Sequence, residues 1–395
     1  MNLAGIPPKF LLAHIMSSQL QNNVRLGYID NLRSTMVVWV VAFHTAITYS
    51  HIGSWYYSDP LPADKVSSII FLTFEVHSQA FFMGILFLLA GYFVPGAFDR
   101  KGFRPFMADR FVRLGLPSLL YIFVIQPLLM HYLLRAGNGS LADYYRSFLA
   151  SGDWLTGGGP MWFAIALLVF SLAYGLFRMM APAKAKASVM RIPGLAGLMG
   201  TGLVIAVGAF LVRTEEPMGK GFLYFQPAFF TQYIVLFALG IVAYRNNWFA
   251  RLPSRLGYGL LIGAAVLGPI VWFTLLVVGG GLQHGIAAYV GGWRWQSAGY
   301  ALWESLFCMA ICAGLLVLYR EHFNGRGRFS RLLSDNSFGI YFIHPPIVVA
   351  VSQMFGWLPL PLLAKWLAVA TLAIFAALAV VDLILRRTPL LRRII

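Results

Sequence analysis

Residues 69–94 read IIFLTFEVHSQAFFMGILFLLAGYFV, an apolar run in which Glu75 carries the single formal charge. A helix needs about 20 predominantly apolar residues to cross the hydrocarbon core of a bilayer. This run is long enough to do so, and it therefore predicts a transmembrane helix.

Nine similar segments occur along the chain, so the sequence predicts an all-α integral membrane protein of about ten transmembrane helices. The predicted spans are residues 34–49, 69–94, 114–134, 161–180, 192–212, 227–244, 256–278, 297–319, 337–355 and 362–385. The first span is short, and its ends are expected to include the flanking polar residues. The membrane domain is predicted to occupy residues 28–385, between an N-terminal segment 1–27 and a basic tail 386–395.

The composition agrees with this fold class, because 59% of the residues are hydrophobic and only 11% are charged. Soluble domains contain about twice that charged fraction. The net charge of +16 would suit a nucleic-acid partner, but the basic residues stand in short clusters between apolar runs. That arrangement is typical of topology signals. The expected partner is the lipid bilayer, and no nucleic-acid partner is expected.

The basic residues also predict the orientation of the chain. If the N-terminus is cytoplasmic, 23 of the 30 lysines and arginines fall in cytoplasmic segments, as the positive-inside rule requires. The seven others are Lys65, Arg135, Arg146, Arg213, Lys220, Arg294 and Lys365. Both termini are therefore predicted to be cytoplasmic.

Two cysteines, Cys308 and Cys312, lie four residues apart within one apolar run. Adjacent turns of a helix place two cysteines poorly for a disulfide, so both are interpreted as packing residues. The sequence shows no metal-ligand spacing, and no bound cofactor is expected.

Arg33 and His44 are eleven residues apart in the first predicted helix. Eleven residues make about three turns, so both side chains share one face, with His44 about 16 Å deeper in the membrane. An ionisable residue at that depth is costly and usually functional, and a neutral imidazole can act as a general base near pH 7. The alternative for His44 is a buried histidine that hydrogen-bonds a neighbouring helix.

A second cluster of charges precedes the third span and contains Arg110 and Arg113. These two residues are three apart, so they are predicted to line one helix face. Guanidinium groups on such a face could bind phosphate oxygens. The alternative is positive-inside charge without a ligand.

Ser337, Tyr341 and His344 form a polar stripe on one face of the ninth span. Pro345 and Pro346 follow directly, and because proline interrupts the backbone hydrogen bonds of a helix, a kink is expected there. A polar stripe beside a kink suits the lining of a cavity, and Tyr341 and His344 are predicted to bind substrate. Hydrogen bonding between helices is the alternative.

Other polar or aromatic residues lie within or beside the spans. Glu75 and His77 are two apart, so only one of them can readily face a site, and Glu75 is predicted to contact substrate. Trp162 opens the fourth span and is either substrate-binding or an interfacial anchor. The glycines at 157–159 precede it, and because no lysine follows them they are not interpreted as a phosphate-binding loop.

These residues resemble the motifs of membrane acyltransferase family three. The resemblance begins with Arg33 and His44, which have ten residues between them and are preceded by Asp30 and Leu32. It covers about residues 26–355, and the order of the motifs is more specific than any one of them. The further motifs are Phe81-Phe82-Met83, Leu89-Ala90-Gly91-Tyr92-Phe93, Arg110 with Arg113 and Pro117, Gly159-Pro160-Met161-Trp162-Phe163, and Ser337-Phe338-Gly339-Ile340-Tyr341 with His344-Pro345.

Membership of this family would imply a ten-helix enzyme of the bacterial inner membrane that moves an acyl group from cytoplasmic acyl-CoA to a carbohydrate hydroxyl. His44 would be catalytic, Arg33 its partner, and Arg110 and Arg113 would contact the CoA phosphates. A fused extracellular domain, usual in peptidoglycan-modifying members, is not expected because the chain ends soon after the tenth span. The compact form resembles the glucan-modifying members.

The leading prediction is an O-acyltransferase of the acetyl or succinyl type, with acyl-CoA as donor substrate and a carbohydrate as acceptor. His44 would act as a general base or carry the acyl group covalently, and the sequence leaves both routes open. A polytopic transporter or flippase is the alternative, although the paired halves expected for it are not evident. A membrane scaffold is a third reading, and the oligomeric state is left open.

Overall fold

The computed structural model describes residues 26–136, 139–181, 190–389 and 391–394. Within these ranges the chain is helical, and the one β pairing is an isolated bridge between Phe222 and Phe225. Most of the predicted N-terminal segment 1–27 lies outside the described residues, as do Lys184 and Lys186 of the basic set.

Eleven helices organise the described chain. They are α1 (Gly27–Ser50), α2 (Lys65–Lys101), α3 (Phe103–Leu133), α4 (Leu141–Ser151), α5 (Gly159–Met180), α6 (Leu195–Glu215), α7 (Pro227–Asn246), α8 (Ser254–Val278), α9 (Trp295–His322), α10 (Arg328–Gly356) and α11 (Leu362–Arg387). Nine of these, all except α1 and the short α4, are long and apolar enough to cross a membrane. The prediction of an all-α membrane protein is therefore confirmed.

Helix α1 corresponds to the first predicted span. Its 24 residues extend about 36 Å, enough for a crossing, but polar residues at both ends and His44 in its interior make it less apolar than the other nine. The helix extends over the polar residues at both ends, as expected for this short span. Most of its residues are buried within the bundle.

Several helices are longer than the apolar runs that predict them. Helix α2 begins at Lys65, directly after Asp64, whose side chain accepts hydrogen bonds from the backbone N–H groups of Val66 and Ser67. Such an N-cap satisfies donors that the helix itself leaves free. Helix α10 begins at Arg328 rather than near 337. Hydropathy detects the lipid-crossing part of a helix and not its polar extensions.

Helix α2 lies at the centre of the bundle. In its most apolar stretch 83% of the residues are buried, against 22% in α8, so α8 presents most of its surface outward. Helices α2 and α7 approach closely through Gly91 and Gly240, where a Cβ atom would lie 2.1 Å from the Phe237 carbonyl oxygen and 2.2 Å from that of Leu88. Small residues commonly permit such contacts between membrane helices.

Helix α3 alternates between α and π geometry. Its three π turns are Phe111–Gly115, Tyr121–Ile125 and Leu129–Leu133. Pro117 and Pro127 follow the first two turns and supply no backbone N–H, which leaves carbonyls without their usual partners. The Tyr145 hydroxyl donates to one carbonyl of this stretch, that of Phe123, at 2.8 Å.

The helix ends form two polar layers. At the end where α1 begins, which we call the basic end, the Asp99 carboxylate accepts hydrogen bonds from Arg178 and Arg245. These bonds join α2, α5 and α7. At the other end, which we call the distal end, the Met218 N–H donates to the Val290 carbonyl at 2.9 Å. The loops that follow α1, α3, α6, α8 and α10 lie at the distal end.

Orientation across a membrane stays a prediction, and it can be tested with reporter fusions. Fusions after residue 20 and after residue 395 should both report a cytoplasmic location, because the basic residues are concentrated at the end where α1 begins and α11 ends. A fusion within residues 216–226 should report the opposite side. Opposite readings for the two terminal fusions would require an odd number of spans and would contradict the topology.

Candidate active site

A cavity of about 820 Å³ lies inside the bundle and reaches the distal end. Membrane helices supply part of its wall, including His44 from α1 and Glu75 from α2. Loops of the distal end supply the rest, including Trp55, Tyr56 and Tyr224. The cavity therefore joins the interior of the membrane domain to one face of the protein.

Two histidines from opposite ends of the sequence meet at this cavity. Nδ1 of His44 and Nε2 of His344 are 2.9 Å apart, and the two rings are nearly coplanar, with an angle of 4° between their planes. His44 lines the cavity, whereas His344 is completely buried behind it. The second histidine therefore contacts the first ring rather than the cavity.

A proline determines which nitrogens of this pair carry protons. Pro345 has no N–H, so the carbonyl of Tyr341, four residues earlier, lacks its helical partner. Nδ1 of His344 lies 2.7 Å from that oxygen, and since a carbonyl only accepts, this nitrogen is the donor. In a neutral ring Nε2 of His344 then accepts from Nδ1–H of His44. Nε2 of His44 is left unprotonated, as a general base requires.

An indole ring covers one face of this histidine pair. The rings of Trp55 and His44 are stacked, with centroids 4.0 Å apart and planes within 10°. Trp55 belongs to the loop 51–64, which Asp59 anchors through a buried ion pair with Lys365 at 3.2 Å. The Asp59 N–H also donates to the Thr48 carbonyl at 2.8 Å. These contacts hold Trp55 in place over His44.

Gly159, at the start of α5, leaves room for Tyr56 of the loop 51–64 to pack. Tyr56 hydrogen-bonds to Tyr121 at 3.0 Å and to Gln126. Its hydroxyl oxygen lies 2.2 Å from the position that a Cβ atom of Gly159 would occupy. Gly159 also has a φ of +47°, a conformation that favours glycine. Gly159 therefore has a packing role beside Tyr56.

The chain matches the family model described as an acyltransferase domain over residues 26–386. The chain belongs to acyltransferase family 3. The resemblance drawn from the motifs is thus confirmed, and the protein is a multi-pass membrane acyltransferase. Searches of curated proteins and of solved structures each found no significant match.

The acyltransferase cavity contains most of the residues predicted to bind substrate. Glu75, Trp162 and Tyr341 line it together with His44. His344 does not, because it lies behind His44. His77 is directed away, with its ring packed against Trp303 and Phe307, as expected from its two-residue separation from Glu75.

The predicted arginines lie at the basic end of the acyltransferase and do not line this cavity. Arg33 pairs with Asp30 at 3.2 Å, about 16 Å from His44 along α1. Arg110 and Arg113 lie where α3 widens into its first π turn. A π turn holds more residues than an α turn, so the spacing of these two side chains around α3 differs from that in a regular α-helix.

The environments of these two arginines differ accordingly. Arg113 is 67% exposed and pairs with Asp109 at 3.1 Å. Arg110 lies 5.1 Å from the centre of the Phe106 ring, and its Nε is buried without a hydrogen-bond partner among the described residues. An unpaired buried donor is costly, so Arg110 is the better placed of the two to accept an anionic ligand.

Three residues of the candidate site are not predicted by the sequence patterns. Trp55, Tyr56 and Tyr224 lie in loops, where no helical periodicity marks the face that points inward. The one available signal is the aromatic run Trp55-Tyr56-Tyr57 in the short connection between the first two spans. The cysteines behave as expected, since Cys308 and Cys312 are buried free thiols.

Proposed function

We propose that this acyltransferase moves an acyl group of the acetyl or succinyl type from acyl-CoA to a hydroxyl of a glycan or another glycosylated acceptor. The observation that carries the proposal is the hydrogen-bond chain from Tyr341 through His344 to His44. It leaves Nε2 of His44 unprotonated beside a large cavity, where it can take the proton of an acceptor hydroxyl.

The cavity wall supports a carbohydrate acceptor. The wall includes the aromatic rings of Trp55, Trp162 and Tyr224 and the amides of Gln79 and Gln126. Aromatic faces suit the C–H faces of a sugar ring, and amides suit its hydroxyls; binding sites generally combine such apolar surfaces with a few convergent polar groups. Glu75, with one carboxyl oxygen unpaired among the described residues, is proposed to accept from an acceptor hydroxyl.

The basic end supports an acyl-CoA donor. A CoA molecule carries phosphates, which bind guanidinium groups well, and Arg33, Arg110 and Arg113 are all near this end. With the predicted orientation, the basic end faces the cytoplasm and the distal end faces the periplasm of a bacterial inner membrane. Donor and acceptor then approach from opposite sides, and Arg33 acts on the donor side rather than at the reacting atoms.

Two measurements test the proposed activity. Purified protein should release CoA thiol from acetyl-CoA or succinyl-CoA, which a transporter or a scaffold would not do. Mass spectrometry of surface and periplasmic glycans, with and without the gene, should show loss of an acyl group in the deletion strain. Thioester turnover absent from the purified protein, together with unchanged glycans, would contradict the proposal.

Replacing Arg110 or Arg113 with lysine should raise the KM for acyl-CoA and leave the acceptor KM nearly unchanged. Lysine keeps the charge but loses the guanidinium fork that matches phosphate oxygens. Steady-state kinetics in both substrates provide the measurement. Topology alone predicts no change, because lysine satisfies the positive-inside rule equally well.

Arg146→Lys is the matched control for this series. Arg146 also pairs with an aspartate on its own helix, Asp143 at 3.0 Å, but it lies at the distal end. Its replacement should leave both KM values unchanged. If the single and double variants at 110 and 113 behave like this control, the two arginines do not bind the donor.

A further inference from the structure

The cavity wall contains three buried polar atoms without a hydrogen-bond partner among the described residues. They are Nε1 of Trp55, one carboxyl oxygen of Glu75 and the hydroxyl of Tyr341. Most buried polar groups in proteins are hydrogen-bonded, and leaving one unpaired costs about 1–3 kcal/mol. Three unpaired groups in one wall indicate partners that a bound substrate provides.

The three groups divide by their hydrogen-bonding chemistry. An indole N–H can only donate and a phenol O–H can donate, whereas a carboxyl oxygen can accept. The two donors are both close to the histidine pair. The Trp55 ring is stacked on His44 at 4.0 Å, and the Tyr341 ring lies 6.0 Å from that of His344.

We propose that the indole N–H of Trp55 and the hydroxyl of Tyr341 form the oxyanion hole of the transfer reaction. This inference rests on the proposed function, because an oxyanion arises only if a thioester is attacked. Donors fixed where negative charge develops commonly supply a large part of enzymatic rate enhancement. Tyr341 is 5% exposed, so it is held in place with little competition from water.

The two donors assist the attack of the acceptor hydroxyl on the thioester. Nε2 of His44 takes the proton of the acceptor hydroxyl while the hydroxyl oxygen bonds to the thioester carbonyl carbon. The π pair of the carbonyl moves onto its oxygen, which becomes the oxyanion. When the pair returns, the C–S bond breaks, and the thiolate receives the proton from His44 and leaves as CoA thiol. The products are an O-acyl ester and free CoA.

Glu75 is assigned to the acceptor rather than to the oxyanion. Its unpaired carboxyl oxygen can accept a hydrogen bond, which an indole N–H cannot do, and this suits a hydroxyl of the acceptor. The unpaired groups are therefore assigned to two partners, with the donors directed to the acyl group and the acceptor directed to the sugar.

The test compares Tyr341→Phe with Tyr49→Phe. Tyr49 lies on α1 and is fully buried, and its hydroxyl, like that of Tyr341, has no hydrogen-bond partner among the described residues. It packs in a separate cluster with Phe71 and Leu362 rather than in the cavity wall. Loss of one oxyanion donor typically lowers kcat about 10²–10³-fold. We expect a loss of about that size for Tyr341→Phe, with both KM values little changed, and none for Tyr49→Phe.

A change of donor separates oxyanion binding from a purely structural role. In a donor whose acyl C=O is replaced by C=S, the negative charge develops on sulfur, a weak hydrogen-bond acceptor. The ratio of wild-type to Tyr341→Phe turnover should therefore be much smaller with dithioacetyl-CoA than with acetyl-CoA. Trp55→Phe, which keeps an aromatic ring but loses the N–H, should show the same dependence on the donor.

The outcomes distinguish this inference from the proposed function. An active wild type in which Tyr341→Phe matches Tyr49→Phe, or loses the same factor with both donors, overturns the oxyanion hole alone. A wild type that releases CoA from neither acetyl-CoA nor succinyl-CoA overturns the proposed function and this inference with it.

Discussion

Replacing His44 with alanine should lower acyl transfer about 10²–10⁴-fold, the usual effect of losing a general base. The variant removes the only ring nitrogen of the pair that reaches the cavity, since His344 is fully buried behind it. Expression and membrane insertion should be unchanged, because His44 is partly exposed to the cavity and its loss leaves no buried charge. Turnover of the purified variant, with its yield from membranes as the reference, gives the measurement.

His344→Ala provides the comparison for this prediction. Its loss removes the group that orients His44 but leaves the base itself, so activity should fall less than in His44→Ala. Near wild-type turnover in His44→Ala would refute the role of His44. A larger loss in His344→Ala than in His44→Ala would instead make His344 the base and reverse the assignment.

Replacing Lys365 with methionine should destabilise the protein by about 3–5 kcal/mol, the usual cost of leaving one member of a buried ion pair alone. The side chains of Lys365 and Asp59 are both completely buried. Activity should fall as well, because Asp59 anchors the loop that holds Trp55 over His44. Thermal unfolding in detergent and turnover measured on the same sample report the two effects.

Two variants control this experiment. Asp59→Asn in the Lys365→Met background removes the unpaired charge and should recover part of the stability. Arg146→Met breaks an ion pair whose side chains are 80% and 53% exposed, and such pairs contribute only about 0–1 kcal/mol. If Lys365→Met is no more destabilising than Arg146→Met, the buried pair does not anchor the loop.

The long helices are predictable because each depends on a local property of the sequence. An apolar run of about 20 residues can satisfy its backbone hydrogen bonds in lipid only within a helix or a closed barrel. Every predicted span coincides with a helix for this reason. The shared face of Arg33 and His44 also follows from local geometry, since both lie on the one continuous helix α1.

The site itself depends on packing between distant parts of the chain. His44 and His344 are 300 residues apart, and no periodicity indicates that α1 and α10 place their rings edge to edge. The polar stripe predicts a cavity lining, and Tyr341 does line the cavity. The stripe cannot show that His344 is instead buried behind His44. The position of Trp55 depends on a loop, and the different environments of Arg110 and Arg113 arise beside a π turn that the sequence does not reveal.

The kink expected at Pro345 shows where local reasoning is informative and where it ends. Helix α10 continues through Pro345 and Pro346 to Gly356. The missing N–H is a property of the sequence, and a carbonyl without its helical partner follows directly from it. Only the structure shows that the side chain of His344, the residue before Pro345, hydrogen-bonds to this carbonyl.

The backbone carbonyl at the end of the histidine chain also bears on the energetics of the membrane. A carbonyl oxygen accepts a hydrogen bond but holds no proton of its own to pass on, so the chain from His44 through His344 to Tyr341 is closed to proton conduction. If His44 is the base, as proposed, a proton taken up at Nε2 has to leave by the same nitrogen. The histidine chain would then offer no path along which protons could leak across the bilayer.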